Sequence, residues 1–279
     1  MLGIKDILCE GANEVNEDII WYGNNFVIVL DGSTGLRKKS LEDGANIARW
    51  YVTRFKDAID SYINESITLC KIVTKCMERV EKEFKKVHSA KVDKVDLPSA
   101  SVTIIRIHNN KLELFSLGDC TTVIKSKEGK IVTVYDDTVT RLDNKVIEEM
   151  IAIREKKGID IVAAREEVNN LLIENRYKKN TREGYWILGF DKEAVNHAFY
   201  NEFDLEKIDK VYMMSDGMAE YYENLKLVYS IDEFINEVDK EGAEFLYKQM
   251  RQIQEDDKLC NKYPRIKPKD DVSLVICKF

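Results

Sequence analysis

The sequence predicts an α+β layered domain, and two features of its texture carry that prediction. Short apolar runs separated by tight turns demand antiparallel strands, because a parallel crossover needs a dozen or more residues. Pairs of longer segments with apolar residues at helical spacing lie between those runs, which argues against a sheet wound from β-α-β units. The 279 residues suffice to bury a substantial core. Three prolines and the lack of a Gly/Ser-rich tract leave no linker, so one domain over residues 1–279 is expected.

Ile19–Tyr22 and Phe26–Leu30 read as strands joined by the turn Gly23-Asn24-Asn25. Residues 42–65 put Ile47, Trp50, Tyr51, Phe55, Ile59 and Tyr62 on one helical face. A second helix follows with Leu69, Val73, Cys76, Val80, Phe84 and Val87 facing the core. Beyond Pro98, the segments Ser101–Ile107, Lys111–Leu117, Thr121–Lys125 and Lys130–Tyr135 form a predicted meander. Residues 144–176 are charged and mostly helical. Tyr185–Leu188 and Lys210–Met214 read as strands, 231–240 and 242–259 as helices, and Val272–Lys278 as the last strand.

The bulk composition excludes several classes. A net charge of −7 argues against non-specific binding to nucleic acid or an anionic membrane. No apolar run reaches the roughly 18 residues of a membrane helix. The opening segment MLGIKDILCEGANE lacks the apolar stretch of a signal peptide. Six dispersed cysteines without a CxxC pair suit reduced thiols, and three scattered histidines suit no histidine-rich metal site. A cytoplasmic location follows as an expectation.

The chemistry is carried by acids at strand ends. Asp31 follows Val27–Leu30 and precedes Gly32; Asp119 follows Leu112–Leu117 and Gly118. Asp216 follows Val211–Met214 and precedes Gly217, Asp270-Asp271 precedes the last strand, and Glu17-Asp18 precedes the first. Each alone is explained by a turn, a helix cap or a solvated loop. If the strands are neighbours, however, several carboxylates meet in one small volume, and like charges that close need compensation. Hard oxygen ligands with small neighbours are what Mg2+ or Mn2+ prefers.

In order, Asn16-Glu17-Asp18, VLDGSTG (29–35), SASVTII and LELFSLGDC (within 99–120), VYMMSDGM (211–218) and KDDVSLVI (269–276) resemble the successive motifs of the metal-dependent type 2C protein serine/threonine phosphatases. The resemblance runs from Asn16 to Lys278 and is weakest over 138–184, which would correspond to the variable flap and insertion. It implies a four-layer α-β-β-α sandwich with two central antiparallel sheets. It also implies that Asp31, the backbone carbonyl of Gly32, Asp216 and Asp270 bind two Mn2+ or Mg2+ ions. Glu17 and Asp18 would contact the metals, partly through water, and Asp119 would help a third, looser ion. Asp270 is preferred to Asp271 because the ligand comes first in the family's acidic pair.

The implied reaction is direct hydrolysis of phosphoserine or phosphothreonine in a phosphorylated protein by a metal-bridging hydroxide, with Asp31, Asp216 and Asp270 acting through metals and water. Partner docking at the flap is a further expectation. Two departures stand out. Asn13 occupies the place of the family's phosphate-clamping arginine, with Arg37, Lys38 and Lys39 as the nearby basic residues, and Ser33-Thr34 replaces the usual His-Gly or Met-Gly. The alternative is therefore a catalytically weak or inactive phosphatase-like regulatory binding module. An aspartyl-phosphate loop would want a second Asp where Ser33 stands, and a sugar-kinase loop a residue between Asp31 and Gly32.

Overall fold

The computed structural model describes residues 2–33, 35, 46–88 and 92–279. Strand β1 (Gly3–Glu10) is followed by the hairpin of β2 (Asp18–Tyr22) and β3 (Phe26–Ser33). Helices α1 (Ile47–Tyr62) and α2 (Leu69–Val87) lead to β4 (Ser99–His108), β5 (Lys111–Leu117), β6 (Thr121–Ser126) and β7 (Ile131–Val134). Then come α3 (Thr138–Lys157), α4 (Ile161–Glu167), α5 (Asn169–Tyr177), β8 (Phe199–Asp204) and β9 (Ile208–Met214). Helices α6 (Asp216–Glu223), α7 (Ile231–Glu241) and α8 (Ala243–Asp256) precede β10 (Val272–Lys278).

The strands form two five-stranded antiparallel sheets, ordered β2-β3-β4-β5-β8 and β1-β10-β9-β6-β7. Side-chain alternation explains the continuous apolar runs Phe26–Leu30 of β3 and Leu274–Cys277 of β10. Val27 and Val29 of β3 meet Val275 and Cys277 of β10 in a core between the sheets. Ile28 and Leu30 point the other way, onto Tyr51, Phe55 and Ile72 of α1 and α2. Leu274 and Ile276 likewise face Met218, Phe234 and Leu246 of α6, α7 and α8. Each central strand is covered on both faces, and the layers run helix, sheet, sheet, helix.

The turn between α1 and α2 is held from below. Arg106 on β4, 1% exposed, pairs with Glu113 on β5 and donates to the carbonyls of Ile63, Glu65 and Ile67. That satisfies backbone acceptors left open where α1 ends. Helices α3, α4 and α5 build a smaller core of their own from Val146, Met150, Ile161 and Leu172, closed by Cys260. Among the described residues no helix is long and apolar enough to cross a membrane.

Three expectations need correction. The predicted meander is cut in two: β5 pairs with β4 and β8, whereas β6 pairs with β7 and β9 in the other sheet. Gly118, with φ at 91°, lets the chain cross between sheets there. Tyr185–Leu188 makes only isolated bridges, Leu188 to Ala100 and Tyr185 to Lys179. Strands β1 and β8 were not expected, because both lie at or near sheet margins and leave most side chains partly in solvent, which blurs the apolar run.

Candidate functional site

The acid-bearing strand ends converge. Asp18 and Asp31 are cross-strand partners in β2 and β3, and Asp31 is opposite Ser101 on β4. Asp31-Gly32 is therefore not a turn; both residues lie within β3. The glycine is required by close backbone approach: its N–H donates to the Glu17 carbonyl at 3.2 Å, and a Cβ there would come within 2.7 Å of that oxygen. From the second sheet, Asp216 opens α6 directly after β9, and Asp270 stands just before β10. Since β9 and β10 are antiparallel, the end of one lies beside the start of the other.

A cavity of about 240 Å3 opens where these ends meet, lined by Asp31, Gly32, Asp119, Asp216 and Asp270. Asp143 from α3 and Glu220 and Glu223 from α6 line it too, as do the basic residues Arg165, Arg176 and Lys267. Asp119 accepts a hydrogen bond from the Ser101 hydroxyl, and its own N–H donates back to Ser101 Oγ at 3.2 Å. Lys267 leaves most of its side chain in solvent (62% exposed) but donates its ammonium to both carboxylate oxygens of Asp270, at 2.6 and 2.9 Å.

Two expected residues sit behind the cavity wall. Asp18 is 1% exposed, and among the described residues its Oδ2 has no hydrogen-bond partner. Glu17 accepts from Asn46 Nδ2 at 2.6 Å. Asp271 points away from the cavity: its carboxylate accepts the backbone N–H groups of Ala12 (2.7 Å) and Glu17 (2.6 Å), tying the segment before β2 to the start of β10. Asn13 is exposed and lines no part of the cavity. Thr34, Arg37, Lys38 and Lys39 lie outside the described residues.

The electrostatics follow from crowding acids together. Burial pushes Asp31 and Asp216 well above the usual carboxylate range, reinforced for Asp31 by Asp216, Asp18 and Asp119 and for Asp216 by Asp270 and Asp119. Burial also raises Asp119, against the opposing Ser101 hydroxyl, and lifts Asp18, Asp143, Glu220 and Glu223 to about 7 each. Desolvation lowers the Lys267 ammonium, but Asp270, Asp216 and Asp31 outweigh it and hold the group above its ordinary value.

The donor set fits a hard divalent cation: carboxylate oxygens, one flanking glycine carbonyl and a buried Asp18 oxygen that has no partner among the described residues. As arranged, no three acidic, cysteine or histidine side chains among the described residues stand close enough to hold one ion. Asp270 is instead turned to Lys267, and Asp119 to Ser101.

Sequence reasoning missed Asp143, Arg176, Glu220, Glu223 and Lys267. Glu220 and Glu223 follow Asp216 by four and seven positions in α6, a helical-face spacing that would have found them. Lys267 precedes Asp270 by three residues in an irregular loop, and Asp143 and Arg176 come from the least recognisable segment.

A family model described as protein phosphatase 2C matches residues 11–253. No curated protein matches the sequence. Among solved structures, the chain is similar to the serine/threonine phosphatase PstP/Ppp of Mycobacterium tuberculosis, at 14% identity over 100% of this chain and 98% of that one, with a TM-score of 0.55. It is also similar to the catalytic domain of the serine/threonine protein phosphatase PstP in complex with two manganese ions, at 15% identity, 100% and 97% coverage and a TM-score of 0.52. For the serine/threonine phosphatase Stp1 from Staphylococcus aureus the values are 12%, 99% and 95%, and 0.57. At such identities the structural likeness speaks for a shared fold.

Proposed function

The chain belongs to the protein phosphatase 2C family, and we propose that it hydrolyses phosphoserine or phosphothreonine in phosphorylated proteins, using divalent cations held at the acidic cavity. The observation that carries this reading is the convergence of Asp31, Asp119, Asp216 and Asp270, from the strand ends of both sheets, on one cavity. A divalent cation there would relieve the mutual repulsion of these acids.

Asp31, the carbonyl of Gly32, Asp216 and Asp270 would hold the two principal ions, Mn2+ or Mg2+, with Glu17 and Asp18 behind them and Asp119 beside a third. Bound there, such ions neutralise phosphoryl charge and acidify water. The remaining work falls to the chain. Gly32 keeps the wall beside Asp31 free of a side chain, and Asp271 fixes the backbone that carries Glu17 and Asp18. Lys267 neutralises Asp270 until a stronger cation displaces it. Residues 138–184 form the flap of a single domain in this reading, and partners would dock there.

The test is phosphate release from a phosphoserine peptide by the full chain, with Mn2+ and after chelation. Metal-dependent release supports the reading; release that survives chelation contradicts the metal mechanism. No release on any phosphopeptide leaves the catalytically weak or inactive binding module as the better account.

A further inference from the structure

We propose that Arg176, carried by α5 in the flap, is the anion-binding residue that seats the substrate phosphate beside Asp31; this rests on the phosphatase reading and names the group that recognises its substrate. The cavity poses the problem. Seven carboxyl groups line it, those of Asp31, Asp119, Asp143, Asp216, Glu220, Glu223 and Asp270, and a phosphate dianion entering it meets repulsion from each that is ionised.

Three basic side chains also line the cavity, and two of them stand beside a carboxylate. Lys267 gives its ammonium to Asp270. Arg165 stands 3.9 Å from Glu166, the next residue on its own helix. Arg176 differs from both. Among the described residues it has no carboxylate within ion-pair distance, and Asp143 acts on it only from further off. Its Nη1 donates to a neutral group, Ser33 Oγ, at 2.7 Å. A guanidinium has five N–H donors in a planar fork that matches two phosphate oxygens.

The position is right for the task. Ser33 is two residues beyond Asp31 in the same strand, and both line the cavity, so an oxyanion bridging Arg176 and Ser33 lies next to Asp31. The position is also rigid. Asn175, just before Arg176, and Lys179, three residues after it, are 9% and 4% exposed, and the Lys179 ammonium donates to the Leu97 carbonyl at 2.8 Å, fastening the chain just past α5 to the approach to β4. The flap thus presents a fixed cation to a cavity otherwise dominated by acids, and substrate affinity is tied to the packing of α3, α4 and α5.

The experiment uses the full chain with saturating Mn2+ and inorganic phosphate as the probe, titrated by calorimetry, alongside steady-state kinetics on a phosphoserine peptide. Arg176→Ala is expected to weaken phosphate binding roughly 10- to 100-fold and to raise KM for the peptide, with Mn2+ affinity unchanged. Arg176→Lys should recover part of the loss and Arg176→Gln, which keeps a donor to Ser33 without the charge, none of it. Unchanged phosphate affinity in Arg176→Ala overturns the proposal. So does a purely structural signature, in which Arg176→Gln and Ser33→Ala lower thermal stability alike and leave phosphate affinity intact. If the wild-type chain hydrolyses nothing, the phosphatase reading fails, yet the phosphate titration still decides the role of Arg176. A wild-type chain that binds no phosphate overturns it.

Discussion

Asp31 and Asp216 line one cavity although the first lies near the end of a strand of one sheet and the second opens a helix after a strand of the other. The pair thus joins the two halves of the sandwich. Replacing either acid by its amide should act oppositely on stability and activity. Asp216→Asn removes a like charge, so the chelated protein should melt a few degrees higher. The same change should abolish the rise in melting temperature caused by Mn2+ and cut phosphate release roughly 100-fold or more. Thermal melts with and without Mn2+, with parallel phosphate assays, check both directions.

The two neighbouring acids before β10 should separate cleanly. Asp271→Ala strips the acceptor from two backbone N–H groups, those of Ala12 and Glu17, and should cost about 1–3 kcal/mol for each group left buried and unpaired. Asp270→Ala should leave folding nearly intact and remove the Mn2+ response. Urea denaturation and Mn2+ titration of both variants distinguish these outcomes; matching behaviour in the two would contradict the division of roles.

Stability of the metal-free chain should fall as pH rises from about 4 through about 7. Asp143, Glu220 and Glu223 are pushed up to about 7, by burial first, whereas in an unfolded chain such groups ionise near 4. Between those values the folded state binds more protons than the unfolded one, so raising the pH favours unfolding. Below the unfolded values both states are protonated and the penalty is absent; above about 7 it is fully present. Melting temperature in chelator from pH 5 to 8 should decline, and the triple variant Asp143→Asn, Glu220→Gln, Glu223→Gln should flatten that decline.

Lys267 should compete with added metal. Its ammonium pairs with Asp270 from a largely exposed side chain, and exposed pairs of this kind contribute at most about 1 kcal/mol. Lys267→Met should therefore tighten Mn2+ binding by no more than about fivefold and leave the fold unchanged. Calorimetric titration with Mn2+ reads this directly, and a weakened affinity would show that the lysine assists the metal.

Much of this was legible in the sequence because the central strands are buried on both faces. Runs such as Val27–Leu30 and Val272–Cys277 declare themselves without any partner being known, and the acids at their ends, Asp31, Asp216 and Asp270, stand out against them. What was hidden is equally physical. Strands β1 and β8 expose side chains along their length and have no continuous apolar run. The exchange of sheets at Gly118 depends on which strand each half of the meander finds, a long-range choice that turn residues do not record. Asp143 and Arg176 reach the cavity from α3 and α5, which pack on a small core of their own, so only the tertiary arrangement reveals their position. Asp18 and Asp31 are cross-strand neighbours, a relationship that follows from the short hairpin between them.

The central claim is that acids distant in the chain form a seat for divalent cations, and crystals soaked in Mn2+ test it most directly through anomalous scattering at the manganese edge. The account predicts manganese peaks bounded by Asp31, the Gly32 carbonyl, Asp216 and Asp270, with Lys267 displaced from Asp270. Crystals that bind no manganese there, with Lys267 still on Asp270, would contradict it.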